Sequence, residues 1–332
     1  MAGVHLVMIP ALLLAALVGT TASPGAPLSA GTRLAAVQAR YRRLSAVLNQ
    51  PRVISPQTRA ALEIRFQSAR ENVETLAATP NEARLGDLER TEELDARIVP
   101  ELLRGVSDPI DATPGAHVGL ARAGDAPVPF AYWVPAGYDP RRPAPLVVLL
   151  HGAGEPESDV IARRFLRELA DATGTVVLAP GGEDRDGDAM AAGLEAAEAA
   201  LSPALALDSK RRYLGGISRG VFGAFHAVAR AAEAPAGFLG IAGVLDDADA
   251  AAVERRLRGK GVYLVIGSRD EAFGTAPVRA NVRALRAAGV RARYYEVPGA
   301  VHGLGPNATG IARAWHDMLA GVVTVPDDGL GR

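Results

Sequence analysis

The spacing of apolar residues changes near Asp108-Pro109, and this change divides the chain into two parts. Before it the pattern is helical. Leu34, Val37, Tyr41, Leu44 and Leu48 recur every third or fourth position, which lines them along one helix face. Ser55-Pro56 reads as an N-cap followed by proline in the first turn, where a missing N–H costs nothing. Leu62, Phe66, Val73 and Leu76 continue this second helix, and Pro80-Asn81 breaks it. Leu85, Leu88, Leu94, Ile98 and Leu102 predict a third, with Arg and Glu on the other faces. Residues 31–105 are therefore expected to form a small helical region. It is either a bundle packed on the main domain or a spacer, with a lid or partner-binding module as the alternative.

After Asp108-Pro109 the period shortens. His117 to Arg122 and Val128 to Val134 read as strands around a Gly124-Asp125 turn. Pro145 to Leu150 is nearly all apolar, as a strand covered on both faces must be. Ile161, Phe165 and Leu169 predict a helix ending near Gly174, followed by a strand over Thr175 to Leu178. An Ala-rich helix at Ala189 to Leu201 precedes a strand at Tyr213 to Ile217. Three more strands are expected at Phe238 to Val244, Gly261 to Ile266 and Arg291 to Val297, with Val278, Val282 and Leu285 on a helix between the last two. A meander followed by alternating strands and helices implies an α/β fold over residues 115–322, a mostly parallel central sheet with helices on both faces.

Composition narrows the function. A hydrophobic fraction of 48% in 332 residues supplies a sizeable core, and a net charge of -1 without Lys/Arg-rich runs speaks against nucleic-acid binding. Leu6 to Gly19 is apolar but short for a bilayer span, and the small residues Thr20 to Ser23 follow it. Residues 1–22 are therefore expected to be a signal peptide cut after Ala22, which exports the protein without a stable membrane span. Pro10 and the absence of Lys or Arg before Leu6 speak for the alternative, an uncleaved anchor. The chain has no cysteine, so it has neither disulfides nor a lipid-modified cysteine.

Candidate chemistry centres on Gly216-Ile217-Ser218-Arg219-Gly220, a G-x-S-x-G pattern between an apolar strand and the helix-compatible run Val221 to Ala229. A turn this sharp exposes Ser218 at the carboxyl edge of the sheet, and glycines flank it because side chains there would clash. A serine nucleophile needs a base. Of six histidines, His302 is the candidate: it follows the last strand in the loop Gly299-Ala300-Val301-His302-Gly303. His5 leaves with the signal, His117 begins a strand, and His226 and His316 lie on helices. Asp270, directly after the strand ending at Ile266, is the candidate acid that orients the imidazole. Its neighbour Glu271 competes, as do Asp246 and Asp247 after the preceding strand. Oxyanion donors are expected at the backbone N–H of Arg219, at a helix start, and of Ala153 in the loop His151-Gly152-Ala153-Gly154-Glu155. His151 is expected to support that loop rather than to act as a base.

Two segments carry a family resemblance. Val134-Pro135-Ala136-Gly137-Tyr138-Asp139-Pro140 with Pro145 to Glu155, and Asp208 to Ser218, resemble α/β-hydrolases of the polyhydroxybutyrate-depolymerase, feruloyl-esterase and prolyl-oligopeptidase-like groups. The likeness covers roughly Val118 to Leu319 and leaves the helical region aside. It implies a Ser-Asp-His mechanism through an acyl-enzyme, without metal or other cofactor, acting on a small or polymer-attached ester. Two alternatives remain open: a prolyl-oligopeptidase-like peptidase, and an idle hydrolase fold that binds the cell envelope. One departure stands out: many relatives carry two glycines after the Ser-x pair, whereas Gly220 is followed here by Val221. Oligomeric state and substrate leave no sequence signature.

Overall fold

The computed structural model describes residues 28–49, 54–181, 187–231, 233–245, 250–322 and 324. The expected signal peptide, and Asp246 and Asp247, lie outside the described residues. Three helices come first: α1 (Ala30–Ser45, extended by a 3-10 turn over Ala46–Asn49), α2 (Pro56–Ala78) and α3 (Glu82–Arg104). Each starts on a side chain that captures an otherwise unpaired N–H. Ser29, Ser55 and Asn81 accept from the backbone of Thr32, Thr58 and Arg84. α3 stops at Gly105, whose φ of 69° is the left-handed conformation that closes helix ends.

The rest is an eight-stranded sheet. β1 (Gly115–Ala123) and β2 (Ala126–Val134) form a hairpin through Gly124, at φ 59°. β3 (Ala144–Leu150) leads to α4 (Glu157–Ala162), α5 (Arg164–Thr173) and β4 (Val176–Pro180). α6 (Gly187–Leu201), β5 (Leu207–Ile217), α7 (Arg219–Arg230) and β6 (Gly237–Ile241) follow. The chain ends with α8 (Ala250–Leu257), β7 (Gly261–Gly267), α9 (Thr275–Ala287), β8 (Arg291–Val297) and α10 (Leu304–Leu319). Strand order is β1-β2-β4-β3-β5-β6-β7-β8. β2 pairs antiparallel with β1 and β4, and every other pairing is parallel. From β3 the chain winds outward to β4 on one side and, from β5 on, to β8 on the other. The crevice between the carboxyl ends of β3 and β5 is thus a topological switch point, the usual ligand position in open α/β sheets.

Three expectations shift. The helix through Ile161 and Leu169 is two helices, because Arg163 between them is extended, at ψ 116°. β5 begins at Leu207, six residues before Tyr213, along a solvent-exposed polar stretch that still pairs with Ala144 across an irregular register. β6 ends at Ile241, before Gly243 and Val244, because the chain turns at Ala242, at φ 51°. The core is continuous across the sheet and reaches into the helical region. Leu94 of α3 joins the main cluster, and Leu120 of β1 packs with Val47, Leu62, Ile98, Val99 and Leu102. The three helices are therefore packed onto the sheet rather than strung out as a spacer.

Candidate active site

β5 is buried over Tyr213 to Ile217, and the chain reverses into α7 at Ser218. Ser218 has φ 53° and ψ -120°, a conformation that a side-chain-bearing residue adopts only under constraint. Neighbouring backbone supplies the constraint. Ser218 N–H donates to Ile241 O at 2.8 Å, and Val221 N–H donates to Ser218 O at 3.0 Å. A Cβ on Gly216 would lie 2.1 Å from the backbone of Gly220. One on Gly220 would lie 2.3 Å from Leu150 O and 2.6 Å from His151 O. These two glycines let strand, turn and helix come together, and they bring the end of β3 against the start of α7. Val221 is buried, with room made for it by Gly240 on β6 and by Gly243 just past its end. Added Cβ atoms on Gly240 and Gly243 would meet its methyl groups at 3.5 and 2.6 Å.

His302 Nε2 is 3.1 Å from Ser218 Oγ, and its Nδ1 is 2.8 Å from Asp270 Oδ2. Ser218 and His302 are 84 residues apart, so the fold alone brings them together. The Asp270 side chain is fully buried, and its other oxygen accepts from Ala272 N–H and Phe273 N–H, each at 3.0 Å. The charge that burial would penalise is thereby satisfied on both oxygens. The loop carrying His302 is tied to the loop carrying Asp270. Arg269 N–H donates to Ala300 O at 2.8 Å, Ser268 N–H to Val297 O at 2.9 Å, and Gly299 N–H to Ser268 Oγ at 2.7 Å. Gly267 permits this approach, since a Cβ there would stand 2.3 Å from Ala300 O. Glu271 is exposed and stands outside this chain of bonds. His117, His226 and His316 lie on β1, α7 and α10.

The β3 exit loop is shaped by its own side chains. Glu155 accepts from Gly152 N–H at 3.1 Å, while its backbone N–H donates to Gly152 O at 3.3 Å. His151 is buried, with Nδ1 3.0 Å from Gly152 O, the supporting contact expected of it. Ala153 is exposed in this loop, and Arg219, the first residue of α7, directly follows Ser218. A row of tilted aromatic rings, missed in the sequence, borders the site. The Phe273 ring lies 5.5 Å from the His302 ring and 5.7 Å from the Phe222 ring, and both phenylalanines are half-buried. Their separation of 51 positions left no periodic signal. Position four after Ser218 on a helix and three after Asp270 was the available clue.

No family model matches the chain, and no curated protein is similar to it in sequence. Solved structures are similar in fold. The S-formylglutathione hydrolase of Agrobacterium tumefaciens superimposes with a TM-score of 0.51 at 16% identity, over 65% of this chain and 99% of that one. The S954A feruloyl esterase module of Clostridium thermocellum, complexed with sinapinate, gives 0.50 at 15%, over 63% and 89%. A protein assigned as a dipeptidyl aminopeptidase IV, from Bacteroides ovatus, gives 0.52 at 13%, over 63% of this chain but only 36% of that one. The chain has the α/β-hydrolase fold, preceded by a helical region.

Proposed function

We propose that the chain is a serine hydrolase that cleaves carboxylic esters through an acyl-enzyme. The observation that carries this reading is the strained Ser218 at the strand–helix turn with its Oγ 3.1 Å from His302 Nε2. Ser218 Oγ attacks the ester carbonyl carbon as His302 Nε2 takes its proton. Asp270 holds the other ring nitrogen, fixes the tautomer and stabilises the imidazolium. The carbonyl oxygen, now anionic, receives hydrogen bonds from the N–H groups of Ala153 and Arg219, the latter reinforced by the helix dipole. The intermediate collapses, the carbon–oxygen bond to the alcohol breaks, and the alcohol leaves with the His302 proton. Water then attacks the acyl carbon, gives a proton to His302, and the acid leaves as Ser218 regains its hydrogen.

Export after removal of residues 1–22 is part of the same proposal. The test is labelling with a fluorophosphonate probe alongside turnover of short p-nitrophenyl esters and aminoacyl anilides. Expected are labelling that disappears in Ser218→Ala and turnover of the esters only. A well-folded protein that neither labels nor turns over esters would overturn the proposal.

A further inference from the structure

The helical region carries a buried polar cluster that the proposed chemistry does not use. Arg65 of α2 is 1% exposed, and its guanidinium donates to Asp95 Oδ1 of α3 at 2.9 Å and to Glu157 of α4. Ser158 Oγ donates to the same Asp95 oxygen at 2.7 Å, and Tyr41 hydroxyl to the other at 3.0 Å. Asp159 accepts from Ser68 of α2 at 3.0 Å and from Thr91 of α3 at 2.8 Å. Three consecutive residues of α4 are thus bonded to the helical region. At the start of α5, Asp87 of α3 accepts from Arg164 N–H at 3.0 Å.

α4 is also the segment that leaves the β3 exit loop. Just past it, Arg163 donates to Glu155 Oε1 at 2.6 Å, and Glu155 Oε2 holds the N–H of Gly152. The contacts form a continuous line from Arg65 through Glu157, α4, Arg163 and Glu155 to the peptide preceding Ala153. We propose that the helical region is the buttress of the oxyanion loop, with Arg65, Arg163 and Glu155 as positioning residues that hold the Ala153 N–H toward the reacting carbonyl. The inference rests on the serine-esterase reading. Its content is that residues far from Ser218 in sequence set the strength of one specific interaction, that of the oxyanion.

A thiono ester tests this, because sulfur accepts hydrogen bonds poorly and gains little from an aligned donor. The ratio of kcat/KM for an oxo ester to that for its thiono analogue reads donor alignment, whereas lost protein merely scales both rates. The full chain and its Arg163→Met, Arg163→Lys and Arg65→Met variants are compared. Rates are normalised to Ser218 titrated with a phosphonate. Arg163→Met is expected to lower kcat on the oxo ester by about tenfold, part of what removal of an oxyanion donor costs. KM should stay within about twofold and the oxo/thiono ratio should fall in step with kcat. Arg163→Lys, which can still donate to Glu155, should restore most of both. Arg65→Met should follow Arg163→Met if it folds; Arg163 lies nearer the surface, so its variants decide the matter if Arg65→Met does not. An active wild type whose ratio is unchanged in Arg163→Met overturns the buttress alone. A wild type with neither turnover nor labelling overturns the esterase reading and the buttress with it.

Discussion

Asp159→Asn should raise stability in alkaline solution and leave it nearly unchanged in acid. Asp159 is buried between α2, α3 and α4, and burial, with Glu155 and Asp95 nearby, pushes its carboxyl from 3.8 up to about 7. In the unfolded chain the group ionises near its ordinary value. Between pH 4 and 7 the folded state therefore binds more protons than the unfolded state, and stability falls as pH rises. The slope approaches about 1.4 kcal/mol per pH unit and levels off above pH 7. The accumulated cost at pH 8 is roughly 4 kcal/mol, the difference between about 7 and 3.8 converted at that rate. Asparagine carries no such cost. Its carbonyl accepts from one of the two hydroxyls, and its amide donates to the other, since Ser68 and Thr91 can reverse roles. Urea denaturation of both proteins at pH 5, 6, 7 and 8 measures the difference. The advantage of the variant should be roughly 1.5 kcal/mol at pH 5 and grow to roughly 4 kcal/mol at pH 8. A difference independent of pH, or one that shrinks as pH rises, would refute the assignment of a protonated Asp159 to the folded state.

Asp270→Asn should lower kcat for a short ester by about 10⁴-fold, because an amide facing His302 Nδ1 selects the wrong tautomer. Glu271→Gln, on an exposed side chain, should leave kcat within about twofold. Equal losses would mean that the acid is misassigned. Gly220→Ala would stabilise an ordinary helix by up to about 1 kcal/mol. Here its Cβ would sit 2.3 Å from Leu150 O, so thermal denaturation should show a loss of about 1–3 kcal/mol. An unchanged or raised midpoint would contradict the close contact between β3 and α7. Phe273→Ala removes one tilted ring contact with His302 and one with Phe222, each worth about 0.5–1.5 kcal/mol. A loss of roughly 3- to 10-fold in kcat/KM on p-nitrophenyl butyrate is expected; full activity would make the contact mere packing.

How much of this could be read from the sequence depended on the kind of signal. Ser218, Asp270 and His302 were legible because each lies at or shortly past the end of a strand-like segment that becomes β5, β7 or β8, and a parallel sheet collects such ends at one edge. The helix start at Ser55 was legible because capping is local chemistry, whereas Asn81, read only as a break, is in fact the N-cap of α3. The break at Arg163 was not, since neither proline nor glycine marks it and an extended arginine is set by tertiary contacts. The buried cluster was misread as ordinary charged helix faces. Arg65 and Ser68 in fact lie in register with Leu62, Ala69, Val73 and Leu76, and Thr91 and Asp95 with Leu88, Leu94 and Ile98. A polar residue inside an apolar stripe is the sign that was there to read.

That misplaced polarity also explains why the helical region is more than added bulk. Replacing a buried ion pair with apolar side chains of similar volume is often neutral or stabilising, so Arg65, Asp95 and Glu157 are a poor way to glue helices together. Apolar surfaces can slide past one another at little cost. A guanidinium shared between two carboxylates cannot, because a shift along the helix would leave buried charges without partners. What the cluster supplies beyond cohesion is register. It fixes α4 in one position on α2 and α3, and α4 begins two residues after Glu155. Catalysis by a preformed oxyanion site demands that kind of fixity, since a donor must point at the developing charge before it develops. The strain at Ser218 is held by backbone packing between strands and helix. On the proposed reading the two halves of the site therefore have separate supports: the sheet holds the nucleophile, and the added helices hold the loop that carries Ala153.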